Sequence, residues 1–165
     1  MIDEEKLRYV GSIVLGLNDA LVEFTGALAG YTFALQNTRM VAMTGLITGV
    51  AASLSMATSE YLSTKSEGNA KNPFKAASYT GIAYVLAVLF LIAPYLLLAN
   101  VYACLSLTIV NATIVIFLFT FYISVAKDLP FRKRFLEMTT ISLGIAGLTF
   151  TIGFFIRISL NVGVD

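Results

Sequence analysis

The sequence predicts an all-α, polytopic membrane protein with five transmembrane helices. Hydrophobic residues make up 58% of the chain, charged residues only 13%, and the mean hydropathy is +0.83. Soluble domains are roughly 45–50% apolar and about 25% charged, so this chain carries too little charge to cover a water-facing surface. The apolar residues also fall into five stretches of at least the ~20 residues that a helix needs to cross a bilayer. A transmembrane β-barrel would instead show short alternating segments, which the sequence lacks.

The five predicted helices form a single transmembrane domain over residues 1–165. They cover roughly residues 7–35, 41–62, 76–98, 101–126 and 135–160. The first stretch is the least typical because it carries Asn18, Asp19 and Glu23. Between the third and fourth stretches only Ala99 and Asn100 intervene, which predicts an antiparallel hairpin.

The distribution of Lys and Arg predicts that the N-terminus is inside and the C-terminus outside. With this orientation nine of the eleven basic residues lie on the inner side, and only Arg39 and Arg157 lie on the outer side. Cytoplasmic loops of membrane proteins carry such an excess of basic residues. The first residues lack a basic region followed by an apolar core, so we expect no cleaved signal peptide.

Several function classes are excluded by what the chain does not contain. There is no histidine, which removes His-based acid–base catalysis and His-ligated metal sites. Cys104 is the only cysteine, so an intramolecular disulfide and a CxxC redox pair are impossible. A net charge of +1 gives no reason to expect nucleic-acid binding. We therefore expect neither an enzyme nor a resident cofactor.

Acidic residues inside the predicted helices are the most informative feature of the sequence. A charge at the centre of a bilayer costs about 2.5–3.5 kcal/mol even on the lenient insertion scale. Asp19 and Glu23 are four residues apart, which places them on one face of the first helix. Met56 and Glu60 have the same spacing on the second helix. Asp19 is predicted near mid-membrane, Met56 somewhat nearer the inner side and Glu60 near the inner mouth.

These side chains suit a divalent transition metal. Carboxylate oxygens bind Mn²⁺ and Fe²⁺, and a thioether favours softer ions over Ca²⁺ and Mg²⁺. Carboxylates also bind protons, so the passage of metal and of protons could be coupled by competition. A structural interpretation remains open, in which Asp19, Glu23 and Glu60 are buried hydrogen-bonding groups and Met56 is a packing residue.

Two segments resemble the vacuolar iron transporter family. The first is GLNDALVEFTGALAG (Gly16–Gly30), which resembles the first helix of that family. The second is GVAASLSMATSEYLSTKSEG (Gly49–Gly68), which resembles the signature of its second helix. Weaker similarity is found at Ala93–Leu96 and at Leu148–Gly153.

The resemblance implies a five-helix homodimer that exports cytosolic Fe²⁺ or Mn²⁺ against protons through a path at the dimer axis. It assigns translocation roles to Asp19 and Met56, and it matches Glu23 and Glu60 to acidic positions found in parts of the family. Two differences from the family are evident. A pathway glutamate of some members is Thr48 here, and the cytosolic metal-binding insert between the second and third helices is missing.

Two other functions remain open at this point. The chain could export divalent cations more broadly, without a preference for iron. It could also be a non-transporting membrane scaffold whose acidic residues pair with a partner subunit, although a scaffold has no need of a thioether beside them. We expect the protein in the cell membrane of a prokaryote, or in a vacuole-type membrane otherwise.

Overall fold

The computed structural model describes the backbone of residues 4–68 and 71–160, and the side chains of residues 9–68, 71–125 and 128–160. The predicted placement of the two termini concerns residues 1–3 and 161–165, which lie outside the described residues. The same holds for the side chains of Lys6, Arg8 and Lys127, which contribute to the inner basic excess.

The described part of the chain is helical throughout, which confirms the all-α prediction. Five helical segments are long and apolar enough to cross a membrane, as predicted. The chain is therefore a multi-pass integral membrane protein. In order along the chain, the helices are α1 (Glu4–Asp19), a π-helical turn (Ala20–Phe24), α2 (Thr25–Leu35), α3 (Thr38–Ser66), α4 (Pro73–Leu97), α5 (Val101–Lys127) and α6 (Phe131–Ser159). Span one comprises α1, the π turn and α2, and spans two to five are α3 to α6.

Asparagine begins three of the spans. The amide oxygens of Asn37, Asn72 and Asn100 accept hydrogen bonds from backbone N–H groups in the first turns of α3, α4 and α5. Such caps satisfy N–H groups that have no partner within the helix. At Asn72 the cap is followed by Pro73, whose fixed φ suits the first helical position.

The connection between spans two and three is shorter than residues 63–75, which the predicted helices leave between them. Helix α3 continues to Ser66, and α4 begins at Pro73. Polar residues stabilise the last turn of α3. Ser63 donates a hydrogen bond to the Glu67 carboxylate, and the Glu67 N–H donates one to the Ser63 carbonyl.

Span one is not the continuous α-helix that the sequence suggests. Immediately after Asp19 the helix widens into the π turn, and the α-helical pattern resumes at Thr25. Two hydroxyl groups of α6 bond backbone carbonyls in this region: Ser142 donates to the Leu21 carbonyl (2.7 Å) and Thr149 to the Gly26 carbonyl (2.6 Å). Since a π turn alters the regular pairing of backbone groups, these hydroxyls stabilise it from outside.

Helices α2 and α6 pack closely through glycine. A Cβ atom on Gly153 would collide with the Gly30 carbonyl oxygen, and a Cβ on Gly26 would lie 2.9 Å from the Ile145 side chain. The Gly26–Gly30 pattern therefore serves close packing within one chain, as small residues do at many membrane helix contacts.

Helix α4 lies at the centre of the packing. Spans one and two each contact α4 more extensively than they contact each other. The closest approach of α1 to α4 is at Gly16, where a Cβ would collide with the Thr80 carbonyl oxygen. The core that these helices enclose is apolar, and Phe24, Leu28 and Ile92 are all at most 1% exposed in it.

Candidate metal-translocation site

The Asp19 and Glu23 side chains lie together at the π turn of span one. Their carboxyl groups are close enough to interact both by hydrogen bonding and through their charges. Asp19 is partly buried, and its Oδ2 atom is buried with no hydrogen-bond partner among the described residues. Glu23 is exposed on the surface of the single chain. One carboxylate of the pair thus lies inside the bundle, and the other faces outward.

The π turn decides how the two carboxylates are arranged. In an α-helix, residues four apart are offset by about 40° around the axis, because a turn holds 3.6 residues. The π turn holds more residues per turn, and Glu23 lies within it while Asp19 directly precedes it. The wider turn therefore changes the angle between the two side chains around the helix axis from that of a regular α-helix. Single π turns inside α-helices are frequent at functional sites.

Tyr84 of α4 is a third polar residue at this level. Its side chain is 1% exposed, and its hydroxyl is near enough to Glu23 and Asp19 to be affected by their charges. The hydroxyl can donate or accept a hydrogen bond. Span three therefore contributes a polar group beside the carboxylate pair.

Glu60 lies in a different setting, nearer the end of the bundle that carries most of the basic residues. Ser12 of α1 donates a hydrogen bond of 2.6 Å to its Oε1 atom, and Ser12 is itself 1% exposed. Ser12 is seven residues before Asp19, so Glu60 lies about 10 Å from the level of Asp19 along the helix axis. This bond joins spans one and two at that end of the bundle.

Met56 is partly buried and packs against the main hydrophobic core. Met56 lies one turn before Glu60 along α3, in the direction of Thr48. Thr48 interacts with the Tyr31 hydroxyl at 3.1 Å, which joins spans one and two again, near the opposite end of the bundle.

A single chain does not bring all these acidic side chains together. Among the described side chains, those of residues 9–68, 71–125 and 128–160, no group of three Asp, Glu or Cys residues is close enough to hold one metal ion. The structure pairs Asp19 with Glu23, and it keeps Glu60 apart from that pair.

Three of the residues at this site were not predicted from the sequence. Ser12, Tyr31 and Tyr84 act between spans, and sequence spacing reports only which residues share one helix. A signal was nevertheless available, because a buried hydroxyl in an apolar span needs a partner, and Ser12 and Tyr84 are polar groups in such spans.

All four predicted site residues lie in the segment of the chain that matches a known family. Residues 10–72 match the model of the VIT family. This match confirms the resemblance to the vacuolar iron transporters. It spans α1 to the start of α4 and covers Asp19, Glu23, Met56 and Glu60. No curated protein matches the chain.

The VIT match indicates metal transport. Proteins of the VIT family are transporters and not enzymes, which supports the non-enzyme prediction at the level of the family. The weaker similarities in spans three and five lie outside the matched segment.

Proposed function

We propose that the protein exports Fe²⁺, Mn²⁺ or both from the cytosol in exchange for protons, along a path lined by spans one and two at the axis of a homodimer. The Asp19–Glu23 pair at the π turn is the observation that carries the proposal. Two interacting carboxylates in mid-span are costly to ionise in a membrane unless a cation balances them. Oxygen ligands of this type suit Mn²⁺ and Fe²⁺.

The buried Asp19 oxygen supports a central role for this residue. The buried Oδ2 atom of Asp19 lacks the hydrogen bond that would offset its desolvation. Either a metal ion or a proton removes that cost, so the same group serves both ions in turn. Competition between them is the simplest physical basis for exchange.

The exposed Glu23 supports a homodimer. A carboxylate on the lipid-facing surface at mid-membrane is costly, so a second protein surface is the expected neighbour. A two-fold axis beside this face would double the pair to two Asp19 and two Glu23 side chains. It would also supply the third and fourth carboxylates that one chain does not gather.

The remaining predicted residues have subsidiary roles in this proposal. Met56 adds a soft ligand that favours Fe²⁺ over harder cations. Glu60, held by Ser12, flanks the inner mouth. The basic excess at that end supports a cytosolic position for it, with the N-terminus inside.

Reconstitution in proteoliposomes tests the transport function directly. The vesicles would hold a metal-sensitive dye and a pH-sensitive dye, and Fe²⁺ or Mn²⁺ would be added outside. We expect metal and proton fluxes in opposite directions, with Ca²⁺ and Mg²⁺ as poor substrates and protein-free vesicles as the control. Absence of metal flux from well-folded protein would refute the proposal, whereas metal flux without proton movement would refute only the exchange.

Cross-linking in lipid tests the dimer. Leu15 is 42% exposed on the same side of span one as Gly11 and Glu23, so Leu15→Cys in a chain with Cys104→Ala should form a disulfide-linked dimer. Leu86→Cys is the matched control, because Leu86 is 62% exposed on α4 and should face lipid. Equal cross-linking at both positions, or a fully active monomer, would contradict the proposed axis.

A further inference from the structure

A second polar feature lies beside span one, and the proposed metal path does not use it. It is a partly open cavity of about 210 Å³ between α1, α5 and α6. Asn18, Thr120, Arg134 and Glu137 contribute polar groups to its wall. The rest of the wall is apolar and consists of Val14, Phe119, Ile123, Met138 and Ile141.

The Asn18 side chain indicates what fills this cavity. Its Oδ1 atom is buried and has no hydrogen-bond partner among the described residues. Leaving a buried acceptor unpaired costs about 1–3 kcal/mol, so such groups normally bond a protein group or an ordered water. A water occupies about 30 Å³ in the liquid, so the cavity has room for several. With an amide, a hydroxyl and a carboxylate in its wall, it is polar enough to hold them.

Glu137 is the titratable group of this cavity. It lies one turn beyond Arg134 on α6, at the end of the bundle that carries the basic residues Arg132–Arg134. Arg134 is the one other charged side chain in the wall, since α1 and α5 contribute only Asn18, Thr120 and apolar groups. Glu137 is exposed at the open side of the cavity and forms no ion pair within the described part of the chain, so its carboxylate can bond water.

The cavity and the carboxylate pair lie on adjacent sides of span one. Asn18 directly precedes Asp19, and successive residues of an α-helix point about 100° apart. Asp19 therefore points toward Glu23 and Tyr84 while Asn18 points into the cavity. The cavity therefore reaches the residue next to Asp19, on the neighbouring side of the helix.

We infer that this cavity is a water-filled proton outlet to the cytosol, in which Asn18 orders the water and Glu137 accepts and releases the proton. Metal ions travel on the side of span one that carries Asp19 and Glu23, so the two ions use separate routes on the cytosolic side. The inference rests on the metal–proton exchange proposed above. It adds a group, Glu137, that the metal path does not need.

Glu137→Gln is the decisive variant. It keeps the size of the side chain but removes the proton acceptor, so we expect metal-driven proton movement to fall about tenfold or more, as for loss of other positioned proton-transfer groups. Exchange of external for internal Mn²⁺ at equal pH needs no net proton movement and should keep its wild-type rate. Asp128→Asn is the matched control, because it removes a carboxylate at the same end outside the cavity, and asparagine tolerates the positive φ of 51° found there.

A labelling experiment tests the water directly. With Cys104→Ala as background, Thr120→Cys should react with a hydrophilic thiol reagent. Ile116→Cys, one turn along α5 and 1% exposed outside the cavity, should not react. No reaction at position 120 would show a dry cavity and overturn the inference.

The transport outcomes separate this inference from the proposed function. If Glu137→Gln keeps both Mn²⁺ exchange and metal-driven proton movement at wild-type rates, the proton outlet is overturned and the proposed metal–proton exchange is not. Loss of Mn²⁺ exchange in the same variant also overturns the outlet, because Glu137 would then act on the metal path or on the fold. If the wild-type protein itself moves metal without moving protons, both the proposed metal–proton exchange and the proton outlet are overturned.

Discussion

Glu60 and the Asp19–Glu23 pair are carboxylates of the same helix bundle in opposite settings. Glu60 lies near one end of the bundle and accepts a short hydrogen bond from a buried serine. Asp19 lies further in, has a buried oxygen without a partner, and interacts with a second carboxylate. A hydrogen-bonded carboxylate near the interface is stable by itself, whereas two interacting carboxylates in mid-span need a cation. On the proposed function, the comparison predicts that the Asp19–Glu23 pair contributes more to transport than Glu60 does.

The largest effect is expected for Asp19→Asn. The substitution keeps the shape of the side chain and removes its charge, so it removes the group that binds both ions. A charge at mid-membrane costs about 2.5–3.5 kcal/mol, and a metal ion bound to Asp19 would lose an attraction of this size in the variant. At about 1.36 kcal/mol for each factor of ten, metal flux should fall roughly 100-fold or more. The measurement is initial flux in proteoliposomes, with thermal unfolding in detergent to show that the variant is folded. Wild-type flux from folded Asp19→Asn would remove the basis of the comparison.

Glu23→Gln and Glu60→Gln form a matched pair that measures the difference between the two settings. Glu23→Gln should lower metal flux about tenfold, since it removes one charge of the interacting pair, and each tenfold step is about 1.4 kcal/mol. Glu60→Gln keeps an oxygen that accepts the Ser12 hydrogen bond, so its flux should stay within about twofold of wild type. Equal losses in the two variants would mean that hydrogen bonding by Ser12 does not distinguish the two sites.

A smaller effect is expected for Ser142→Ala, which acts on the π turn rather than on a carboxylate. The variant leaves the buried Leu21 carbonyl without its side-chain donor, at a cost of about 1–3 kcal/mol in the free energy of unfolding. Metal flux should fall severalfold, because the turn sets the relative positions of Asp19 and Glu23. Thr151→Ala is the control, since the exposed Thr151 hydroxyl bonds only the Gly147 carbonyl of its own helix. If both variants keep wild-type flux, the π turn does not matter for transport.

The smallest effect is expected for Met56→Leu, and it should depend on the metal. The leucine keeps the apolar packing and removes the thioether, so flux of Fe²⁺ should fall a few-fold and flux of Mn²⁺ should change less. Competition between the two metals in one vesicle preparation measures this ratio. An unchanged ratio would make Met56 a packing residue.

The fold was predictable because its signals are local. Five apolar stretches of sufficient length define the spans, and Asn37, Asn72 and Asn100 interrupt them where the caps form. The pairing of Asp19 with Glu23 was predictable for the same reason, since both residues lie within two turns of one helix.

The rest of the site depends on contacts between residues that are distant in the sequence. The bond from Ser142 to the Leu21 carbonyl of the π turn crosses 121 residues, and periodicity within span one carries no information about it. The bond from Ser12 to Glu60 crosses 48 residues. Glu137 lies inside a predicted span, yet only the packing of α6 against α1 and α5 shows that it shares a cavity with Asn18.

The contact between spans one and five also bears on biosynthesis. Both the Ser142–Leu21 and Thr149–Gly26 bonds join span one to span five, which leaves the ribosome much later. Until α6 has entered the membrane, the nascent chain therefore lacks the donors that hold the π turn beside Asp19. A ribosome-stalled or truncated product that lacks span five should therefore insert into the membrane without these two bonds to hold the π turn beside Asp19.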